Sequence, residues 1–365
     1  MIFDPVKLAQ PGVASLTPYQ PGKPLQELER EYGIREAVKL ASNENPLGPS
    51  PAAMLAVKEA ISELHRYPEG NAPDLKSALA RYLGVGVEQL VLGNGSNEIL
   101  ELLVRVFAGP GRAVVFSRYA FAVYPLVSLA AGANLIEVPD RQWGHDLEAM
   151  RTAITDDTRL VFIANPNNPT GTWSKARDLR KFLSSVPAHV IVVIDQAYIE
   201  YVQEPDYPDA IDWLKEFPQL VLTRTFSKIY GLAGLRLGYS VSSRQLADLL
   251  NRARQPFNTN HLAQVAAMAA LGDREFVVRS TQLNQQQGQR VCAALAERGI
   301  SYIPSVGNFV SFEIDQAALV CEKLLRQGVI VRPMAGYKMP DHLRLTYGLP
   351  AENERFFQAL DQALS

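Results

Sequence analysis

The sequence predicts an α/β fold, with a large domain on a mainly parallel sheet followed by a smaller α+β domain. Three observations carry this reading. Short apolar runs recur between residues 90 and 222, continuous rather than alternating, as strands covered on both faces should be. Amphipathic helical patterns fall between them, the order expected of parallel strands joined by crossovers. Polar clusters follow the runs directly, at the carboxyl ends of the strands, where open sheets of this kind bind ligands.

In chain order, residues 1–45 are rich in proline, lack a long periodic run and read as an arm that joins the small domain. The large domain is expected over 46–260, with strands at 90–92, 113–116, 160–164, 190–194 and 220–222. Helical patterns cover 97–107, the stretch after Tyr119, 175–183 and, more weakly, 211–217. After Ser240 the character changes. A long helical pattern over 274–298 leads into 302–304 and a strand at 309–314. A helix at 316–326 and strands at 329–332 and 343–347 complete a small domain over 261–365.

Composition narrows the function classes. A chain of 365 residues is long enough for about two domains. A net charge of -2 and a pI near 6.3 give no basic face for nucleic acid or an anionic membrane. Cys292 and Cys321 sit in helical patterns, which argues against a disulfide framework, and no metal site is expected. No signal peptide and no apolar run of about 20 residues stand out, so the expectation is a soluble cytoplasmic protein.

Chemistry concentrates in the polar clusters. Lys228 follows the run at 220–222, and a lysine there is seldom buried without a partner. A buried ammonium shifts its pKa readily, which suits Schiff-base chemistry. Thr225, Ser227 and Arg236 nearby are good phosphate partners. A nucleophilic amine beside an anion site is what pyridoxal 5'-phosphate (PLP) needs, so Lys228 is the candidate Schiff-base lysine; the alternative is a solvated strand end. Gly93-Asn94-Gly95-Ser96-Asn97-Glu98 follows a strand and opens a helix, offering free N–H groups to an anion. Glu98 stands where a dinucleotide fingerprint needs its third glycine, so that fingerprint fails. The plainer alternative is a helix capped by Ser96 or Asn97. Asp195 ends the run 190–194, where it could pair with a protonated pyridine nitrogen or merely cap a turn. Tyr198 could approach the cofactor's ring hydroxyl. Asn165-Pro166-Asn167-Asn168-Pro169-Thr170-Gly171 is a double Asn-Pro turn whose place after a buried strand favours a functional loop.

In order and spacing, Asn167-Asn168-Pro169-Thr170-Gly171, Asp195-Gln196-Ala197-Tyr198, and Ser227-Lys228 followed by Gly234-Leu235-Arg236 resemble the fold-type-I PLP-dependent aminotransferases. The resemblance runs from about Tyr19 to the C-terminus. Within that superfamily, four further motifs resemble the histidinol-phosphate aminotransferases: Leu16-Thr17-Pro18-Tyr19, Asn43-Glu44-Asn45-Pro46, Arg66-Tyr67-Pro68 and Leu343-Arg344-Leu345-Thr346-Tyr347-Gly348.

The resemblance implies a role for each matching position. Lys228 would bind the PLP aldehyde and later move the substrate proton. Asp195 would hold the pyridinium, Asn168 and Tyr198 the ring oxygen, and Phe121 would stack on the ring. Gly95, Ser96 and Asn97, with Thr225, Ser227 and Arg236, would hold the phosphate. Tyr67 would reach the phosphate in a neighbouring subunit, which implies a homodimer with shared sites. Tyr19, Asn43, Arg332 and Arg344 would bind substrate. Two positions depart from the family pattern: Gln196 replaces a frequent glutamate, and Phe121 replaces a frequent tyrosine, keeping the π-face but losing a hydroxyl.

The resulting expectation is amino transfer from L-histidinol phosphate to 2-oxoglutarate, giving imidazole-acetol phosphate and glutamate. An aromatic amino-acid aminotransferase is the nearest alternative, because an apolar pocket separates similar rings poorly. Decarboxylation of an amino-acid phosphate on the same scaffold, or a non-catalytic PLP-binding module, are the others.

Overall fold

The computed structural model describes residues 3–18, 22–34 and 36–365. Two short helices, α1 (Pro11–Ser15) and α2 (Leu25–Tyr32), precede β1 (Val38–Lys39). The helices α3 (Pro51–Ala60) and α4 (Pro73–Leu83) follow, each with proline in its first turn, where a missing N–H costs nothing.

The large body alternates strand and helix. Its elements are β2 (Leu90–Gly93), α5 (Ser96–Phe107), β3 (Ala113–Ser117), α6 (Val123–Ala130), β4 (Asn134–Val138), α7 (Leu147–Thr152), β5 (Thr158–Ala164), α8 (Ala176–Ser185), β6 (Ile191–Asp195), β7 (Leu220–Thr225) and β8 (Gly238–Ser242). They form a seven-stranded sheet in the order β2-β8-β7-β6-β5-β3-β4, in which only β8 runs antiparallel to its neighbours. Val192 and Ile194 of β6 join one buried cluster, and Val193 joins the other. Likewise Val161 and Ile163 of β5 face one way, while Leu160 and Phe162 face the other. Both faces are therefore apolar, and the runs read as continuous.

Two strands of this sheet escaped the sequence reading. The edge strand β4 exposes Asn134, Leu135 and Glu137, so no apolar run marks it. In β8 the serines Ser240 and Ser242 are fully buried, and their polarity hides the strand. The weak helical pattern at 211–217 is a 3₁₀ turn, Ile211–Lys215.

After α9 (Arg244–Ala253) and α10 (His261–Gly272) comes the long α11 (Arg274–Glu297). The small residues Ala263, Ala266, Ala267 and Ala270 line one face of α10 at helical spacing and enter the core of the large sheet with Ala53 of α3. Packing thus carries the large body past the boundary expected at 260. The rest comprises β9 (Tyr302–Ile303), β10 (Phe309–Glu313), α12 (Ala317–Arg326), β11 (Val329–Ile330), β12 (Arg332–Pro333), β13 (His342–Thr346) and α13 (Pro350–Leu364). A four-stranded sheet, β12-β13-β10-β9, packs its own core around Phe312, Leu343, Leu345 and Phe356. The strand expected at 329–332 is split: β11 pairs in parallel with β1 of the arm, and β12 pairs with β13. Among the described residues, no helix is long and apolar enough to cross a membrane.

Candidate active site

β5 lies between β3 and β6, so the loops leaving β3 and β5 part company at the carboxyl edge of the sheet. Such a switch in strand order opens a crevice. A cavity of about 280 Å³ lies here, walled by loops of both bodies and by the arm.

Lys228 faces this cavity from the loop after β7, and its Nζ donates to the Ser42 carbonyl of the arm at 3.0 Å. Burial, and secondarily the charge of Arg344, push its pKa down to about 7 against the opposing pull of Glu44. A substantial share of the amine is then unprotonated and nucleophilic at neutral pH. Tyr198 lies beneath the ammonium, 5.6 Å from Nζ to ring centroid.

Asp195 ends β6, buried and facing the same space. Its Oδ2 accepts from Tyr124 at 2.8 Å and its Oδ1 from Thr223 at 3.0 Å. It belongs to none of the ion pairs found among the described residues. Burial raises its pKa, and the two hydroxyls oppose that rise. A buried carboxylate open to a cavity suits a cationic ring nitrogen.

At the other end of the cavity, Gly95 occupies the N-cap position of α5 with φ +77°. It has no side chain to close the helix, so no cap takes the N–H groups of Ser96 and Asn97, and both residues line the cavity. The expected alternative, a helix capped by Ser96 or Asn97, therefore does not hold. Glu98 turns away and accepts from the Asn94 N–H at 2.6 Å and from Asn258 at 2.7 Å. Arg236 adopts a left-handed backbone conformation, φ +59°, and lies against Gly95 so closely that any Cβ there would collide with its guanidinium. Ser227, 3.4 Å from Arg236 Nη1, and Thr225 complete the cup. Helix N–H groups, hydroxyls and a guanidinium around a void left by glycine suit a phosphate. With the lysine and the carboxylate, these residues fit PLP.

The remaining wall is mixed. Phe121 and Asn168 line it from the loops after β3 and β5. Asn168 Oδ1 accepts from Arg344 Nη1 at 2.5 Å, and Arg344 Nη2 donates to the Ala41 carbonyl at 3.0 Å. Arg332 lines the cavity from β12, directly opposite Arg344 in register. Asn43 also lines it, but its side chain is occupied: Nδ2 donates to the Tyr198 hydroxyl at 2.9 Å and Oδ1 accepts from Thr346 at 3.2 Å. In the chain as it stands Asn43 therefore fastens Tyr198 to the small sheet. Burial pushes the Tyr198 phenol up to about 12.

One expected residue, Tyr67, stands apart from this chain's own cavity. Tyr19 lies outside the described residues. Tyr67 is 82 % exposed, stacks on Phe257 at 4.9 Å between ring centroids and borders a separate surface cleft. Gln196 points away from the cavity, accepting from Arg224 at 3.0 Å and donating to the Pro208 and Asp209 carbonyls at 3.1 Å. The absence of a glutamate there leaves the cavity wall untouched. Sequence reading missed Ser42, Tyr124, Thr223 and Tyr337. Thr223 was within reach, since period two along the strand puts it on the same face as Thr225.

Fold and site together define a PLP-dependent aminotransferase. The sequence matches the family described as aminotransferase class I and II over residues 35–360, and the chain belongs to it. It is similar to histidinol-phosphate aminotransferase 2 of Pseudomonas fluorescens, 55 % identical over the full length of both chains. It is also similar to histidinol-phosphate aminotransferase 1 of Nitrosococcus oceani, 54 % identical over 98 % of this chain and 97 % of that relative. Among solved structures, the histidinol-phosphate aminotransferase of Sinorhizobium meliloti in complex with pyridoxal-5'-phosphate superimposes with a TM-score of 0.89. It is 29 % identical, covering 97 % of this chain and 96 % of that one.

Proposed function

We propose that the chain transfers the amino group of L-histidinol phosphate to 2-oxoglutarate, giving imidazole-acetol phosphate and glutamate, in histidine biosynthesis. The observation that carries this is the convergence of Lys228 and Asp195 with Arg332 and Arg344 on one cavity. Full-length similarity to histidinol-phosphate aminotransferases supports the choice of substrate.

PLP, when bound, supplies an aldehyde that condenses with amines and a ring that accepts the electrons released at the substrate's Cα. The chain's residues do the rest. The Gly95–Asn97 turn, Thr225, Ser227 and Arg236 would anchor the phosphate, and Phe121 would pack against the ring. Asp195 would hold the ring nitrogen in its protonated form, and Asn168 and Tyr198 would bond the ring oxygen. Lys228 Nζ would supply the amine that holds the cofactor and the base for the proton on the substrate's Cα. Arg344 and Arg332 receive the anionic end of each substrate, a phosphate in one half-reaction and a carboxylate in the other.

The active form on this reading is a homodimer in which Tyr67 completes the neighbouring phosphate site. The exposed apolar side chains Met54, Leu55, Ile61, Leu64 and Tyr67, close together in sequence, and the stack of Tyr67 on the exposed Phe257 support it, since exposed apolar surface marks interaction sites.

The test is a substrate panel on the PLP-loaded chain, with glutamate formation from 2-oxoglutarate as readout. Histidinol phosphate should exceed phenylalanine and tyrosine in kcat/KM. The reverse order would make the chain an aromatic amino-acid aminotransferase.

A further inference from the structure

Asp195 is only 4 % exposed, and each of its oxygens is met by a hydroxyl. Tyr124 of α6 stands behind the cavity wall rather than on it, fully buried, stacked on Phe162 at 4.6 Å and edge-on to Phe121 at 5.8 Å. Thr223 reaches the other oxygen from β7, where it is opposite Asp195 in register. We propose that Tyr124 and Thr223 are positioning residues that keep Asp195 ionised and aimed at the cofactor's ring nitrogen, so that the charge recognising the ring exists before the ring arrives. This rests on the aminotransferase reading above.

The physical case has two parts. A carboxylate taken out of water tends to hold its proton, and burial acts on Asp195 in that direction. A hydroxyl that donates to a carboxylate stabilises the anion and not the acid, so the two donors oppose the effect of burial. The second part is orientation. The donors lie on different elements and take different oxygens, so rotation of the carboxyl plane would break both bonds. The Ala197 backbone N–H is a third donor to the carboxylate, which lines the cavity.

The titratable groups around Asp195 are few. Tyr124 comes from α6, Lys228 from the loop after β7 and Tyr198 from the loop after β6 itself. From β5, Ala164 lies opposite in register, and behind it His145 Nε2 meets the Ala164 carbonyl at 2.8 Å. The titrations of Lys228, Tyr198, His145 and the cofactor phosphate are common to the parent and the variants below. A displacement between curves therefore reports Asp195.

The experiment measures PLP affinity of the cofactor-free chain against pH for the parent, Tyr124→Phe, Thr223→Val and Thr223→Ser. Phenylalanine keeps the ring that packs on Phe162 and Phe121, and valine keeps the shape of threonine. Removing either donor should move the acid limb of cofactor binding to higher pH, because a less stabilised Asp195 takes up its proton sooner. At pH 6 the loss should be about tenfold, the scale of one hydrogen bond to a charged group. Thr223→Ser, which retains the hydroxyl, should follow the parent. Melting temperatures taken alongside separate loss of fold from loss of charge. If Tyr124→Phe does not fold, the Thr223 pair reads the same limb. Affinity lost equally at all pH values, or not lost, would overturn the inference while leaving the aminotransferase reading intact. A parent chain that takes up no PLP would overturn both.

Discussion

Arg332 and Arg344 face each other across the antiparallel pairing of β12 and β13, and both line the cavity. Like charges directly opposite on neighbouring strands repel. On the aminotransferase reading, the anionic end of a substrate placed between them would offset that repulsion. Arg344 is also braced by Asn168 and the Ala41 carbonyl, whereas Arg332 sits on a two-residue strand at the edge of its sheet.

The two arginines should therefore differ on substitution. Arg344→Lys keeps the charge but loses the planar fork, and it should lower kcat/KM ten- to a hundredfold in both half-reactions. That range corresponds to about 1.5–3 kcal/mol for hydrogen bonds to a charged group. Arg332→Ala should harm histidinol phosphate more than phenylalanine. Steady-state kinetics with both donors decides it, and equal losses would favour the aromatic reading.

Lys228 should give the cofactor-free chain a characteristic pH response. Its pKa near 7 in the folded chain lies below the ordinary lysine value of about 10.4. The unfolded chain then binds more protons between these limits, so this residue adds stability as pH rises from about 7 to about 10. Lys228→Ala should flatten that part of the melting-temperature profile. Covalent capture of PLP should accelerate with a midpoint near pH 7 in the parent and vanish in the variant, as followed by absorbance.

Gly95→Ala should damage cofactor binding selectively. The position has φ +77°, and a Cβ would collide with the Arg236 guanidinium. Displacing that group removes a phosphate contact, which should weaken PLP binding at least about tenfold. The strained backbone, φ +77° and ψ 164°, lies in a region essentially reserved for glycine and should lower global stability by about 1–3 kcal/mol. Equilibrium dialysis and thermal unfolding measure the two effects separately.

Shared sites predict complementation. Lys228→Ala and a Tyr67→Ala variant should each be impaired, and mixing them under conditions of subunit exchange should restore part of the activity. In the mixed dimer one site has both its own Lys228 and the neighbour's Tyr67 intact. No recovery, with exchange demonstrated by mass spectrometry of differently tagged chains, would argue that each chain's site is self-contained.

Much of the sheet was legible because the middle of β5 and of β6 and the first half of β7 are buried on both faces, which gives each a continuous apolar run. The cavity-lining residues Asp195, Asn168 and Lys228 were legible for a related reason: each lies at or within a few residues of the carboxyl end of such a run, whereas Arg236 was picked out as a guanidinium near the lysine. Tyr124 was not. A phenol within the apolar helix Val123–Ala130 reads as core, and only its stacking on Phe162 of β5 brings its hydroxyl to Asp195. Ser42 acts through its carbonyl, which no side-chain pattern can announce. The split between β11 and β12 was hidden because both strands are two residues long and contiguous, while their partners lie in the arm and in β13.

The bond from Arg344 to the Ala41 carbonyl joins residues 303 positions apart. During synthesis the arm leaves the ribosome 303 residues ahead of Arg344, so it must wait for all of them before its partner exists. The perch of Lys228 on Ser42 shares that delay, because Thr346 and Asn308 hold Asn43 beside it. A nascent chain therefore has the elements of the phosphate cup long before it has a finished substrate site. Contacts this remote in sequence form slowly, which makes docking of the arm a natural late step in maturation.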